Sequence, residues 1–438
     1  MDLILLRRSI TIAVIWVVPT FGIPARASEN HYLVFQEAVR TALQDNADLS
    51  TLRYQETALK YRASLALAPN EPVLSYAKTD LPGLYPGLRA AENTYGLSML
   101  FGFPGKAVAN SASYGFQADG LKEQAYSKEI ELVTAIADLY VSLARNAAYH
   151  RTLIDQRKKD ESLLKILERK FGASQASKVD LLGQRVALAR DDQSILTNEN
   201  EYRSGVQSFR VLIRKPLAED LFPKLPERIE IPVVNRTVED LSRLMHENRQ
   251  SLRAARAQVG SSKSLATVAL LSPLPDFQIS AAINTWNVPS AAPNPGVTRD
   301  YTLGVSVSIP LFFPFNELTA IRAASADLQA SQSQLDAQEI SALAGIRKTY
   351  DDFSASRLEA EHLEKIVLPA ARASYDLTLL TFSMGRADYF RLSESRRSWM
   401  EAQSEFFQKQ ELAFQFYHQL VIQVGCDFGK SEGPHACE

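Results

Sequence analysis

The sequence predicts a mainly α fold with a small membrane β-barrel part, built as two tandem repeats of helix, strand, strand and long helical hairpin. Three observations carry this. The chain repeats its own pattern at an offset of 203 to 211 residues. Each half holds two segments that alternate apolar and polar side chains, the period of a strand with one greasy face. Each half then runs into a stretch far longer than the 11–12 residues of an average helix.

The repeat comes first because it fixes the frame for everything else. Val39, Ala42, Leu43 and Asn46 form an amphipathic pattern that returns at Leu241, Leu244, Met245 and Asn248, with Leu252 one step out of register. Pro72 to Tyr76 returns as Pro275 to Ile279, an offset of 203. Lys170 to Ser177 returns as Thr381 to Asp388, an offset of 211, and Leu181 and Leu392 keep that spacing. The extra residues fall mostly in the loops at 79–94 and 284–300. The domain reading is a first repeat at 28–215, an inter-repeat linker at 216–237, a second repeat at 238–425 and a tail at 426–438. The linker holds Pro216, Pro223, Pro226 and Pro232, a boundary-like composition.

Strands are expected at about 72–78 and 94–101, and at about 276–285 and 301–311. The last is the clearest. Tyr301, Leu303, Val305, Val307, Ile309 and Leu311 alternate with Thr302, Gly304, Ser306 and Ser308. Phe277, Ile279, Ala281 and Ile283 repeat the pattern, as do Tyr95, Leu97, Met99 and Phe101. Strands of this length, apolar outside and polar inside, suit a transmembrane barrel. A half-buried sheet in a water-soluble protein fits the same alternation. Four strands cannot close a barrel, and open edges are not tolerated in lipid. If they span a membrane, two copies give eight strands and three give twelve.

Helical hairpins are expected at 104–215 and 315–425. No proline occurs between Pro104 and Pro216, and at 1.5 Å per residue the outgoing helix spans on the order of 100 Å. Pro369 interrupts the outgoing helix of the second hairpin, where a kink or break is expected. Helices this long bury their apolar stripes by packing side by side.

The first 27 residues read as a signal peptide. Arg7 and Arg8 precede the apolar run Ile10 to Val18, and Ala25-Arg26-Ala27 is a cleavage signal. The expected mature chain starts at Ser28. Of 48 basic and 50 acidic residues it keeps 45 and 49, a balance with no footprint for nucleic acid. The run Arg157-Lys158-Lys159, flanked by Asp155, Asp160 and Glu161, reads as a solvated helix face. The two cysteines, Cys426 and Cys437, sit in the tail with His435. Their spacing matches no standard zinc site, and a disulfide suits an exported protein better. No cofactor or metal site is expected: the other histidines and the methionines are scattered. No hydrolase elbow, zincin or phosphate-loop motif occurs, so the chain is not expected to be an enzyme.

Four features resemble the TolC-like outer-membrane efflux family. The entry helix Ala42-Leu43-Gln44-Asp45-Asn46 resembles the family's A-L-x-x-N, and the second half keeps Asn248. The junctions Phe101-Gly102-Phe103-Pro104-Gly105-Lys106 and Ile309-Pro310-Leu311-Phe312 resemble its strand-to-helix segments. The hairpin tips Phe171 to Leu181 and Phe382 to Leu392 resemble its F-x-x-G-x-x-S-x-x-D-L, with Ser174 where glycine is usual and Gly385 in place. The fourth is the duplication. The resemblance implies a homotrimer whose twelve strands form one barrel in the lipid of a Gram-negative outer membrane, over a helical tunnel through the periplasm. It also implies a periplasmic adaptor at the tips and an inner-membrane pump behind it. The Phe103 to Lys106 junction resembles members paired with heavy-metal pumps, which makes metal cations the expected cargo. Drugs, dyes or a type I secretion substrate are the alternatives, and a structural periplasmic coiled coil is the reading from another class.

For the tips, the resemblance singles out Ser174, Ser177, Gly385 and Asp388 as adaptor contacts. It makes Asp180, Arg391 and Glu394 the gate candidates, although the family often has an acid where Arg391 stands. An Asp180–Arg391 ion pair between hairpins or subunits is expected to hold the closed end, with Glu394 supplying a ring of negative charge. Phe171 and Phe382 are expected to pack between hairpins.

Overall fold

A computed structural model describes residues 31–80, 91–218, 220–226, 230–288, 296–309, 312–313 and 315–428. The expected signal peptide, the two strand-connecting loops, Pro310-Leu311, His435 and Cys437 lie outside them. The first repeat runs β1 (His31–Leu33), α1 (Phe35–Gln44), α2 (Ala47–Leu67), β2 (Val73–Asp80), β3 (Ala91–Phe101), α3 (Pro104–Gly172) and α4 (Lys178–Leu212). β4 (Leu221–Pro223) follows. The second repeat runs α5 (Val238–Asn248), α6 (Gln250–Leu271), β5 (Phe277–Val288), β6 (Gly296–Val307), α7 (Glu317–His362), α8 (Leu368–Ser383) and α9 (Tyr389–Val424).

The entry helices show how the repeat is built. Ala38, Ala42 and Leu49 lie buried in a core with Ile136, Tyr140 and Phe209. Leu241, Met245 and Leu252 do the same against Ala342, Ile346 and Val424. All three pairs are 203 residues apart, so Leu252 is in register after all. Asn248 is the residue displaced. Asn46 caps α2, its Oδ1 accepting from Asp48 N at 2.9 Å and Leu49 N at 3.1 Å. The structural counterpart of that cap is Arg249, while Asn248 ends α5 and donates to Leu244 O at 3.1 Å.

The proline-rich segment between the repeats folds onto the first of them. β4 pairs in parallel with β1, and Arg210 donates to Leu221 O at 3.1 Å with its guanidinium over the Phe222 ring. Tyr140 ties β1 to α3 by donating to Leu33 O at 2.8 Å. The expected break at Pro369 is instead absorbed. Residues Leu363–Val367 form one π-helical turn, and the helix resumes with the proline in its first turn. A widened turn ahead of proline relieves the clash of its ring with the preceding carbonyl.

The four long strands form one antiparallel sheet in the order β2-β3-β5-β6, so the two repeats join at β3–β5. Register places Leu74, Leu97, Ala281 and Leu303 in one row, and Tyr76, Tyr95, Ile283 and Tyr301 in the next. This face is apolar, and in the single chain Leu74 is 81% exposed and Leu303 79%. The opposite face carries Ser75, Gly96, Ala282 and Thr302 in one row, with Ser98, Ser280 and Gly304 in another. β2 and β6 are the outer strands. No helix among the described residues is long and apolar enough to cross a membrane.

Below the sheet, α3 packs against α2, α4, α6 and α9, and α7 against α6 and α9. The junction between sheet and helices is bonded across the repeats. Asp276 Oδ1 accepts from Phe103 N and from Lys106 Nζ, each at 2.9 Å, and Lys106 also donates to Leu274 O. Burial alone would raise the Asp276 carboxyl, yet these bonds hold it below the usual carboxylate range.

Candidate functional site: the hairpin tips and the charged cluster above them

The two hairpins end in turns of one design. After α3, Ser174 N donates to Phe171 O at 3.0 Å and Gln175 N to Lys170 O at 2.8 Å. After α8, Gly385 N donates to Phe382 O at 3.0 Å and Arg386 N to Thr381 O at 2.9 Å. Each turn needs one residue in the left-handed region, as helix C-termini commonly do. That residue is Gly385 at φ 75° in the second tip and Ser174 at φ 60° in the first. A side chain costs about 1–2 kcal/mol there. Ser174→Gly is therefore expected to stabilise the first tip by about 1 kcal/mol. The readout is a higher temperature for loss of structure at the first tip by hydrogen exchange; an unchanged or lower one contradicts it.

The return helices start from capped residues. Ser177 Oγ accepts from Asp180 N at 3.0 Å, and the Asp180 carboxylate accepts from Ser177 N at 3.1 Å, a capping box. Asp388 Oδ1 accepts from Arg391 N at 2.8 Å. Ser174, Ser177, Gly385 and Asp388 are all exposed at the tips. Within one chain Asp180 and Arg391 do not meet: Asp180 caps its own helix, and Arg391 is exposed on α9. This corrects the interhairpin form of the expected ion pair; its intersubunit form needs a second copy. Glu394 pairs with Arg397 at 2.6 Å, one turn along the same helix.

What joins the hairpins within a chain lies elsewhere. Leu163, Leu167, Leu181, Tyr375, Phe382, Leu392 and Trp399 form a shared core. Phe382 is buried there, and Lys170 reaches across to its carbonyl at 2.7 Å and lies over its ring. Phe171, expected between hairpins as well, is exposed in the single chain.

Above this core sits a buried charged cluster that the sequence reading missed. Asp160, read as solvated, is 0% exposed. Arg396 Nε donates to its Oδ2 at 2.5 Å, and Arg396 Nη2 donates to Asp191 Oδ1. Gln156 Nε2 donates to Asp160 Oδ1 and to the Tyr375 hydroxyl, both at 3.2 Å. Gln184 Nε2 donates to Asp160 O at 3.0 Å and its Oε1 accepts from the Tyr389 hydroxyl at 3.1 Å. The cluster thus draws on α3, α4, α8 and α9. Burial pushes the Asp191 carboxyl up to about 7, its contact with Asp160 adds to the rise, and Arg396 opposes it. A signal for the cluster existed in the sequence. Leu153, Gln156, Asp160, Leu163 and Leu167 follow spacings of three and four residues, and all are buried. Asp160 therefore stands at a seam position of a long packed helix.

Among the described residues no three His, Cys, Asp or Glu side chains gather as a metal site. Cys426 is disulfide-bonded and buried against the second-repeat core.

The chain thus presents an antiparallel sheet with one exposed apolar face on outgoing helices about 100 Å long. Residues 241–421 match the family model described as outer membrane efflux protein. No curated protein matches the sequence. Solved structures match it across nearly its full length. The outer membrane protein VceC of Vibrio cholerae is 16% identical, with 89% of this chain and 96% of that chain covered at a TM-score of 0.74. CusC, described for its transmembrane channel formation, is 14% identical over 88% and 91%, TM-score 0.73. The open-state outer membrane channel MtrE of Neisseria gonorrhoeae is 15% identical over 89% and 88%, TM-score 0.71. The second repeat thus matches the outer membrane efflux protein family, and the whole chain shares the fold of these channels.

Proposed function

We propose that three copies of this chain form a passive export duct, docked by its tips to a periplasmic adaptor and fed by an inner-membrane pump. The observation that carries the reading is the four-stranded sheet. Its apolar face needs lipid, and its outer strands β2 and β6 need partners. Closure by β2 of one copy against β6 of the next satisfies both. Three copies supply twelve strands, whose small and polar inner face leaves an aqueous passage. No nucleophile, base or cofactor is required, because such a duct works by shape and by charge at its constriction.

The periplasmic end is where flow is controlled. Ser174, Ser177, Gly385 and Asp388 are exposed on the turns an adaptor would meet. Asp180, Arg391 and Glu394 lie just behind them, and the ion pair proposed for the trimer runs from Arg391 of one subunit to Asp180 of the next. The cargo proposed is heavy-metal cations, supported by the Phe103-Pro104-Gly105-Lys106 junction, whose Lys106 bridges the repeats through Asp276.

Purified protein from the outer-membrane fraction should insert into planar bilayers and conduct ions; absence of conductance from folded oligomers contradicts the duct. Deleting the gene in its host should sensitise cells to copper, silver, zinc, cobalt or cadmium salts and spare dyes and antibiotics. The reverse pattern overturns the metal cargo and leaves the duct standing.

A further inference from the structure

We propose that Arg396 is the positioning residue that clasps the second hairpin to the first, and that Asp191 makes the clasp proton-sensitive. The inference rests on the duct reading and concerns what regulates its periplasmic end. It uses none of the tip residues considered above.

The geometry is specific. The first hairpin offers one carboxylate from each of its helices, Asp160 on α3 and Asp191 on α4. The second offers a single guanidinium, Arg396 on α9, whose Nε and Nη2 take one acid each. Among the described residues no other cation bonds these acids. Arg157 and the Tyr149 hydroxyl lie within electrostatic reach of Asp191, and Arg157 is itself bonded on the outer side by Asp192 at 2.6 Å and Glu161 at 3.5 Å. From α3, Lys159 lies over the Tyr375 ring and Gln156 bonds Asp160. From α4, Gln184 bonds the Asp160 backbone. From α8 comes the Tyr375 hydroxyl, with Asp376 outside it. From α9 comes the Tyr389 hydroxyl, bonded to Gln184 and within electrostatic reach of Asp180. Two buried acids therefore share one bonded cation, and Asp191 Oδ2 has no hydrogen-bond partner.

A buried site with one uncompensated negative charge is relieved by a proton. Protonated, Asp191 gains a donor, and its neighbour Asp160 is an acceptor. The cluster is then neutral and fully bonded, which matches the raised Asp191 carboxyl. If the hairpins part, Asp191 meets water and returns to the ordinary carboxylate range, releasing its proton. The sign follows. The clasped state is favoured most at pH below about 4, where both states hold the proton, and the advantage is lost as pH rises through about 7. Between those limits the ratio of unclasped to clasped hairpins rises up to about tenfold per pH unit, then levels off. The cluster would keep the duct end shut in acid and ease it towards neutrality.

The test is open probability in planar bilayers from pH 5 to 8, for the trimer as purified and for D191N and R396K. The unaltered channel should open more as pH rises and level off near pH 7. D191N carries the neutral form permanently and should stay closed with a flat profile. R396K keeps the charge but has no fork to hold two acids, so it should open more at every pH. A pH-independent unaltered channel overturns the proposal, and so does a D191N channel that keeps the original slope. If R396K misfolds, the D191N comparison still decides. Absence of any conductance in all three would count against the duct itself, a distinct failure.

Discussion

Leu303→Arg is expected to stop the protein from accumulating in the outer membrane. Leu303 ends the row Leu74–Leu97–Ala281–Leu303 on the apolar face of the sheet, and it is almost fully exposed in the single chain. A lipid-facing arginine near the bilayer midplane costs about 2–4 kcal/mol per barrel strand position. With three copies in one barrel the cost is incurred three times. Thr302→Arg is the matched control. Its side chain belongs to the opposite face, in the row of Ser75, Gly96 and Ala282. There the charge meets water, so the barrel should assemble with altered ion selectivity. Membrane fractionation reads the first variant and bilayer recording the second. Equal tolerance of both substitutions would contradict the assignment of faces.

The second large effect is expected at Gly425. This residue ends α9 at φ 88°, and a Cβ built on it would lie 2.6 Å from Asn248 O and 2.7 Å from Arg249 Cα. Both neighbours are backbone atoms at the junction of α5 and α6 and cannot rotate away. Gln250 Nε2 also donates to Gly425 O at 2.7 Å, tying the helix end to the entry helices. Gly425→Ala adds a left-handed strain of about 1–2 kcal/mol to an overpacking cost of about 1–3 kcal/mol, on the order of 3 kcal/mol together. The first repeat offers the comparison. Its equivalent residue, 211 positions earlier, is Arg214 at φ 59°, with its side chain turned out to within 3.7 Å of the Asp48 carboxylate. Space, more than φ, separates the two sites. Arg214→Ala should therefore shift the unfolding temperature little, whereas Gly425→Ala should lower it by several degrees.

These sites show which parts of the molecule the sequence could reveal. The strand faces were legible because alternation is a local property: Tyr301, Leu303, Val305 and Val307 declare a face without reference to any partner. The tips were legible for a related reason, since a left-handed turn followed by a capping residue leaves a short fixed signature at Ser174–Ser177 and Gly385–Asp388. The buried cluster was not. Asp160 follows Lys158 and Lys159 and precedes Glu161, and only the packing of α4 and α9 decides that it faces inward. Its partner Arg396 lies 236 positions away in sequence. The periodic spacing of Gln156 and Asp160 between Leu153 and Leu163 carried the information, but an acid at a seam position reads as polar when helices are scored by apolar residues alone. β1 and β4 escaped notice because three residues are too few to show a period. Pro369 was visible as a fault in the helix, though not the π turn that accommodates it.

The central claim is that three chains close one barrel. Native mass spectrometry of the protein extracted from the outer membrane in mild detergent counts the copies directly. The account predicts complexes of three chains, which supply twelve strands from the four in each. Complexes of two chains, or monomers that remain folded in detergent, would contradict it.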